Sequence, residues 1–121
     1  FDKNYTGDGS IINEEITYQT VGFSMDDLVK ILNLPYPDNI KIDVDGIEHL
    51  ILLGANKFLM DKKIKSISIE LNEDFKEQLE FSLKILKDNN FTIRQKKHAE
   101  EFDKSLKFSK IYNYIFDKKN S

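Results

Sequence analysis

Residues 40–49 read IKIDVDGIEH, and this stretch decides the fold because its periodicity changes partway along. Apolar and polar side chains alternate from Ile40 to Val44, which is the two-residue period of a strand. After Gly46, apolar side chains recur at steps of three and four residues, as on one face of a helix. The stretch therefore predicts a strand over Ile40–Val44, a tight turn at Gly46 and a helix behind it.

Acidic side chains stand where this strand ends and the helix begins, at Asp43, Asp45 and Glu48. Ligands of open α/β sheets bind at the carboxyl ends of the strands. Asp43 could orient an acceptor group, remove its proton or bind a metal, or it could only accept N–H groups of the turn. Asp45 and Glu48 could contact a ligand, or they could form a helix-capping pair with Asp45 as the N-cap.

Three more polar residues are candidates for the same edge of the sheet. Glu70 and Asn72 end the next predicted strand, so in a parallel sheet they would lie beside Asp43. Asn72 could instead cap the helix that follows. His49 titrates near neutral pH and could accept a proton, although its place in the first turn of a helix also suits an exposed surface residue.

The rest of the chain alternates strands with helices, which predicts a mainly parallel sheet with right-handed crossovers and a terminal antiparallel hairpin. The apolar stripe of the first predicted helix is formed by Leu28, Ile31 and Leu32. On the second predicted helix, Gly54 is expected at the place where the helix approaches the sheet. The predicted elements are a strand-like segment Ile11–Phe23, a helix capped by Ser24 and ended by Pro35, the strand Ile40–Val44, a helix from Gly46 to about Lys62, a strand Ile64–Leu71, a helix from Asp74 to Asn89, a strand Phe91–Arg94, a loop Gln95–Leu106 and a strand Ile111–Phe116.

Length and composition limit the possible classes of protein. The 121 residues, 40% of them hydrophobic, suffice for one packed domain. The net charge of −3 with interspersed signs predicts no nucleic-acid surface, and no run of residues is apolar enough to span a membrane. The absence of cysteine excludes a disulfide framework, and we expect a cytoplasmic protein. The chain starts at Phe1 without a Met or a signal, so we expect a piece of a longer protein, with residues 1–10 and 118–121 flexible.

Several ordered motifs resemble those of FkbM-type methyltransferases. Residues 40–48, followed by LLGA at 52–55, are similar to that family's Lys-Ile-Asp-Val-Glu-Gly-x-Glu and Leu-x-Gly-Ala steps, with Asp in place of the commoner Glu at position 45. Residues 24–28 (SMDDL), 67–72 (ISIELN) and 113–116 (NYIF) are similar to further motifs of the family. The resemblance covers roughly residues 16–117.

This resemblance implies a class I, Rossmann-like methyltransferase fold that uses S-adenosylmethionine, commonly for O-methylation of a small molecule or glycan. It implies that the chain is one partial domain, the C-terminal half with the fourth to seventh strands. The donor-binding half would be absent and the chain alone inactive. The sole G-x-G, Gly7-Asp8-Gly9, follows no apolar strand and predicts only a turn, so the cofactor-binding residues stay unknown. The predicted catalytic residues are Asp43 and Glu70, the predicted substrate-binding residues are Asp45, Glu48, Asn72 and His49, and no metal is predicted.

Two other functions stay open. Asp43-Val44-Asp45 is a D-x-D, as in metal-dependent phosphoryl or glycosyl enzymes, but haloacid-dehalogenase-type phosphatases carry Thr where this chain has Ile47. A non-catalytic α/β interaction module is the third possibility. If the donor-binding half is absent, the edge of the strand Ile40–Val44 is bare, and we expect self-association through it.

Overall fold

The computed structural model describes residues 18–98 and 110–120, and within them four strands form a single sheet in the order β1-β2-β4-β3. The helices pack against this sheet. The elements are α1 (Met25–Leu32), β1 (Asn39–Ile42), α2 (Glu48–Gly54), a short 3₁₀ helix (Phe58–Met60), β2 (Ser66–Asn72), α3 (Lys76–Asp88), β3 (Phe91–His98) and β4 (Ile111–Lys118).

The sheet is mixed, so the prediction of a mainly parallel sheet is wrong. Only β1 and β2 pair in parallel, while β4 pairs antiparallel with both β2 and β3. The three earlier strands still share one direction, because β4 is inserted between β2 and β3 and reverses both interfaces. The predicted antiparallel pairing of the last two strands is confirmed.

The core lies between the helices and one face of the sheet. Along β2, Ile67, Ile69 and Leu71 are buried, whereas the residues between them are partly exposed. Tyr114 and Phe116 of β4 lie opposite two of these side chains and extend the same apolar face. The helices cover it with buried residues that include Leu52, Phe58, Leu59, Ile85 and Leu86. The opposite face carries the polar residues of β2, and this alternation places Glu70 away from the core.

Helix α1 begins as predicted but presents a different face to the core. Ser24 is its N-cap, and the Ser24 hydroxyl accepts the Asp27 N–H at 3.1 Å. The predicted stripe is wrong in phase, since Ile31 is 63% exposed while Met25 and Val29 pack against the core. No residue of α1 is fully buried, and a charged side chain of the helix adds a second attachment to the rest of the fold.

That charge is the carboxylate of Asp26, which joins α1 to the 3₁₀ helix. It accepts the backbone N–H groups of Lys57 and Phe58 at 3.1 and 2.7 Å. Gly54 serves the same contact, because a side chain there would meet the Cβ of Ser24 at 3.1 Å. The close approach is therefore between α2 and the start of α1, and not between α2 and the sheet as predicted.

Three other predicted boundaries are wrong. The helix predicted to run to Lys62 ends at Gly54, and a turn separates it from the 3₁₀ helix. Strand β3 continues to His98 through the predicted loop, because Gln95–His98 pair with β4 after a bulge at Arg94. The bulge breaks the two-residue alternation that would have revealed the strand. Of the strand-like segment Ile11–Phe23, residues 18–23 form no strand and residues 11–17 lie outside the described residues.

Candidate functional site

Strand β1 ends at Ile42, and residues 43–47 lead into α2 through an unusual turn. Asp45 adopts φ 55° and Gly46 adopts φ 116°. Left-handed backbone costs a residue with a side chain about 1–3 kcal/mol, and Asp is among the residues that accept it best. Glycine alone suits the conformation at position 46. Such strain persists where neighbouring groups hold the backbone in place, and here the Glu48 side chain holds it.

Glu48 fixes this turn from inside the protein. Its side chain is buried, and both carboxylate oxygens accept the Gly46 N–H, at 3.1 and 3.0 Å. The predicted capping pair is therefore wrong. The N-cap of α2 is Ile47, Asp45 lies before it, and no side chain caps this helix. Glu48 shapes the turn that carries Asp45, which leaves the Asp45 carboxylate exposed to solvent.

Asp43, Asp45 and Glu70 are brought together, as the sequence predicted for the first and last of them. Ile42 pairs with Ile69, so the next residue of each chain segment, Asp43 and Glu70, follows at the same level of the sheet. One carboxylate oxygen from each of the three acids lies within 4.8 Å of the other two. The strained turn brings Asp45 into this group, which we call the acidic end.

Little positive charge balances the acidic end. Lys41 pairs with Asp43 at 3.0 Å, and this ion pair is largely exposed to solvent. The pKa of Glu70 is raised, first by burial and then by the negative charges of Asp43, Asp45 and Glu48, while Lys41 offsets only part of the effect. A carboxyl group whose pKa is raised holds a proton more readily than an ordinary glutamate, which suits exchange of a proton with a ligand.

The same three acids are the described residues that could share a metal ion. Hard divalent cations prefer carboxylate oxygens, and the 4.8 Å spacing would let one ion contact all three side chains. Exposed acids at such spacing are common without a metal. The spacing by itself therefore assigns no metal to this site.

Asn72 and His49 do not join the acidic end. The Asn72 side chain accepts the Asp74 N–H at 2.9 Å, so it closes the turn behind β2, while the N-cap of α3 is Phe75. His49 packs its ring edge against Phe81 with centroids 6.4 Å apart. Burial lowers the pKa of His49, although the charge of Glu48 acts in the opposite direction. His49 is thus partly buried on α2, and not exposed.

A second group of polar side chains at the same end of the sheet was not predicted. The Tyr114 hydroxyl donates to Glu73 at 2.7 Å, and Lys96 forms an ion pair with the same carboxylate. Lys96 also lies 4.2 Å from the centre of the Tyr112 ring. These hydrogen bonds lower the pKa of Glu73. No sequence pattern indicates this group, because the segment that contains Lys96 is charged and aperiodic and therefore predicts a loop.

Comparisons with known proteins identify one family. A family model described as the methyltransferase FkbM domain matches residues 3–116, which is most of the chain. Searches of curated proteins and of solved structures gave no match. None of the helices within residues 18–98 and 110–120 has the length and apolar character needed to cross a membrane.

Proposed function

The chain belongs to the FkbM methyltransferase family, and we propose that it forms the acceptor-binding half of an enzyme that methylates a hydroxyl group of a small molecule or glycan. Family membership supports methyl transfer as the class of reaction. The acceptor class and the division into halves are our proposals. The observation that carries them is the convergence of Asp43, Asp45 and Glu70 at the carboxyl ends of β1 and β2.

In this proposal Glu70 is the base and Asp43 orients the acceptor. A hydroxyl is a weak nucleophile until its proton is taken, and a carboxylate within hydrogen-bond reach can take it. The raised pKa of Glu70 brings this carboxyl closer to the range in which a base works at neutral pH. Asp43 lies beside it, and its carboxylate would accept a hydrogen bond from the same hydroxyl or a neighbouring one.

The other predicted residues have different parts in the proposal. Asp45 is exposed beside the two catalytic candidates and would contact the acceptor directly. Glu48 is a positioning residue, because its carboxylate is occupied by the Gly46 N–H. Asn72 shapes the turn behind β2, and His49 packs against Phe81 of α3, so neither is assigned a contact with the acceptor.

The described residues do not fit a complete donor site. S-adenosylmethionine supplies the methyl group in methyltransferases of this kind, and its cradle needs free backbone N–H groups in a glycine turn. The turn at Gly46 does not offer one, because that N–H is bound by Glu48. Gly54 is no substitute, since it abuts Ser24. Gly22 lies in open space, but residues 18–21 before it form no strand, and Gly7 and Gly9 lie outside the described residues. The described glycines thus support our proposal that the donor is held by residues outside this chain.

Calorimetric titration of S-adenosylmethionine into this chain tests the missing half. We expect no binding with or without Mg²⁺, and micromolar binding would contradict the proposal. Heat released on adding Mg²⁺ alone, and lost in Asp45→Asn, would instead favour a metal-dependent enzyme of the D-x-D type.

Transfer of a labelled methyl group tests the catalytic assignment in a protein that also contains the upstream half. With a small-molecule and glycan extract as acceptor, we expect Glu70→Gln to lower kcat by about 10²–10⁴-fold, the usual worth of a positioned base. Asp88→Asn is the matched control, because Asp88 lies on α3, outside the acidic end, and pairs with Lys84. Equal rates for Glu70→Gln and Asp88→Asn would contradict the role of Glu70, and no transfer by the intact protein would favour the non-catalytic module.

The edge position of β1 among the described residues supports a proposal about self-association. Within residues 18–98 and 110–120, strand β1 is at one end of the sheet and β3 at the other. An unpaired edge can pair with a second copy, and a charge placed on it prevents this. We expect Asn39→Lys, at an exposed position of β1, to abolish the association measured by light scattering. Ile93→Lys, on β3, is the control, and its loss of association in place of Asn39→Lys would contradict the assignment, as would a monomer at high concentration.

A further inference from the structure

The amino-terminal edge of β1 and β2, opposite the acidic end, contains a cavity of about 390 Å³. Its walls come from the first residues of β1 and β2, the last residues of β4 and the segment before β2. This volume lies within the range of small-molecule sites, about 300–1,000 Å³. We call it the basic cavity, because its charged lining residues are Lys62, Lys65, Arg94, Lys118 and a single acid, Asp117.

Some of these cations already have partners, and the partners fix the cavity. The ammonium of Lys118 donates to the carbonyl groups of Leu59 and Asp61. Lys65 pairs with Asp38 at 2.6 Å. The backbone N–H of Lys118 donates to the Lys65 carbonyl at 2.8 Å, which joins the two sides of the cavity. The rim is therefore held by hydrogen bonds before any ligand arrives.

Other donors in the lining remain available. Arg94 uses Nε for Asp117, at 2.8 Å, and within residues 18–98 and 110–120 its two terminal nitrogens have no acceptor. Lys62 makes no ion pair with any described residue. The Asn39 side chain accepts the Ser66 hydroxyl at 2.6 Å through its oxygen, which leaves its amide nitrogen as a further donor. Guanidinium, ammonium and amide donors around one cavity form a set that favours an anion.

We propose that the basic cavity binds the phosphate group of a small molecule. The terminal nitrogens of Arg94 match two phosphate oxygens, since guanidinium binds phosphate through paired hydrogen bonds. Lys62 supplies a second positive charge, and the lining as a whole carries four cations against one carboxylate. The site is separate from the acidic end, so the proposal does not depend on the reaction proposed above.

Calorimetric titration with pyrophosphate at constant ionic strength tests this proposal. We expect saturable binding with a Kd of about 1 mM or below, which corresponds to roughly −4 kcal/mol. Arg94→Gln should weaken it by about tenfold, because it removes the paired hydrogen bonds. Asp117→Asn should tighten it by about threefold, because it removes the only acid in the lining and releases Nε of Arg94. Lys30→Gln, on α1, is the matched control for loss of one positive charge.

Circular dichroism establishes that each variant is folded, so that weaker binding has a single meaning. Absence of saturable binding in the unaltered chain would overturn the proposal. So would weaker binding in Asp117→Asn, or an equal loss in Lys30→Gln and Arg94→Gln. Vesicles that contain phosphatidic acid are a second probe, and binding to these vesicles without binding to pyrophosphate would place the source of the phosphate in a lipid surface and overturn the small-molecule assignment.

Discussion

The two ends of the parallel strands β1 and β2 carry opposite charges, and they differ in how far these charges are paired with partners in the fold. At the amino-terminal end, Lys65 is paired with Asp38 and Lys118 is bound to two carbonyl groups. At the carboxyl end, three carboxylates converge, and among the described residues only Asp43 of the three forms an ion pair, with Lys41. The first arrangement helps to hold the fold together. The second one is unfavourable for the fold, as sites that are built for a ligand often are.

Glu73 lies only three residues after Glu70, so the neighbours of these two glutamates can be compared at one end of the sheet. Glu73 receives a hydrogen bond from Tyr114 and an ion pair from Lys96, and its pKa is lowered. Glu70 receives neither from the part of the chain that the structure describes, and its pKa is raised. Two glutamates at one end of the same strand thus differ in their neighbours, and the difference predicts opposite effects of substitution.

The largest effect is expected for Lys118→Met, in the lining of the basic cavity. This variant keeps an unbranched side chain but removes the ammonium, which donates to the Leu59 and Asp61 carbonyl groups and lies 5.0 Å from the centre of the Phe91 ring. Leaving a buried acceptor without a partner costs about 1–3 kcal/mol of unfolding free energy. Urea unfolding checks the value, with the neighbouring Lys119→Met as the control. Equal stability of the two variants would show that Lys118 does not fasten the lining of the cavity.

A smaller effect of opposite sign is expected for Glu70→Gln. The ionised carboxyl is unfavourable in the fold because its pKa is raised, so its removal should stabilise the chain by about 0.5 kcal/mol at neutral pH, a modest gain because solvent screens the half-exposed charge. The gain should vanish below the ordinary pKa of 4.5, where Glu70 is protonated in both states. Thermal unfolding at both pH values tests this, with Glu80→Gln on α3 as the control, and a destabilised Glu70→Gln at neutral pH would contradict the comparison.

The smallest effect is expected for Glu73→Gln. Because the pKa of Glu73 is lowered in the fold, its contribution is present above the unfolded pKa of 4.5 and is lost as the pH falls through the folded value. The variant should be less stable than the unaltered chain by about 0.3 kcal/mol at neutral pH, since exposed ion pairs contribute little. The two should become equal in acid. Urea unfolding as a function of pH measures the difference, with Glu77→Gln as the control, and a difference that grows in acid would be inconsistent with this sign.

The sequence was sufficient to predict a strand, a turn at Gly46 and a helix near the acidic end, because hydrophobic periodicity and a turn glycine act locally. The ends of these elements were wrong, since β1 ends at Ile42 and not at Val44, and α2 ends at Gly54 and not near Lys62. It placed Asp43 and Glu70 at neighbouring strand ends, and the register of Ile42 with Ile69 agrees. It could not predict the insertion of β4 between β2 and β3, since strand order depends on packing between distant segments. The part of Glu48 was also out of reach, because a carboxylate that binds the N–H two residues earlier looks like a capping acid in sequence.

The basic cavity could not be predicted at all. Its cavity is assembled from residues as far apart as Asn39 and Lys118, and in the sequence each cation reads as an ordinary surface lysine or arginine. The predicted strand Phe91–Arg94 ends too early for a related reason. The exposed residues of β3 do not alternate with buried ones, and the bulge at Arg94 shifts the pattern.

Asp43, Asp45 and Glu70 are expected to form one electrostatically coupled site. NMR titration of the glutamate side-chain carboxyl carbons, in the unaltered chain and in Asp43→Asn, measures this coupling. We expect that the pKa of Glu70 lies above the ordinary 4.5 and falls toward it when the Asp43 charge is removed. A Glu70 pKa at or below 4.5, or one that does not change in Asp43→Asn, would contradict it.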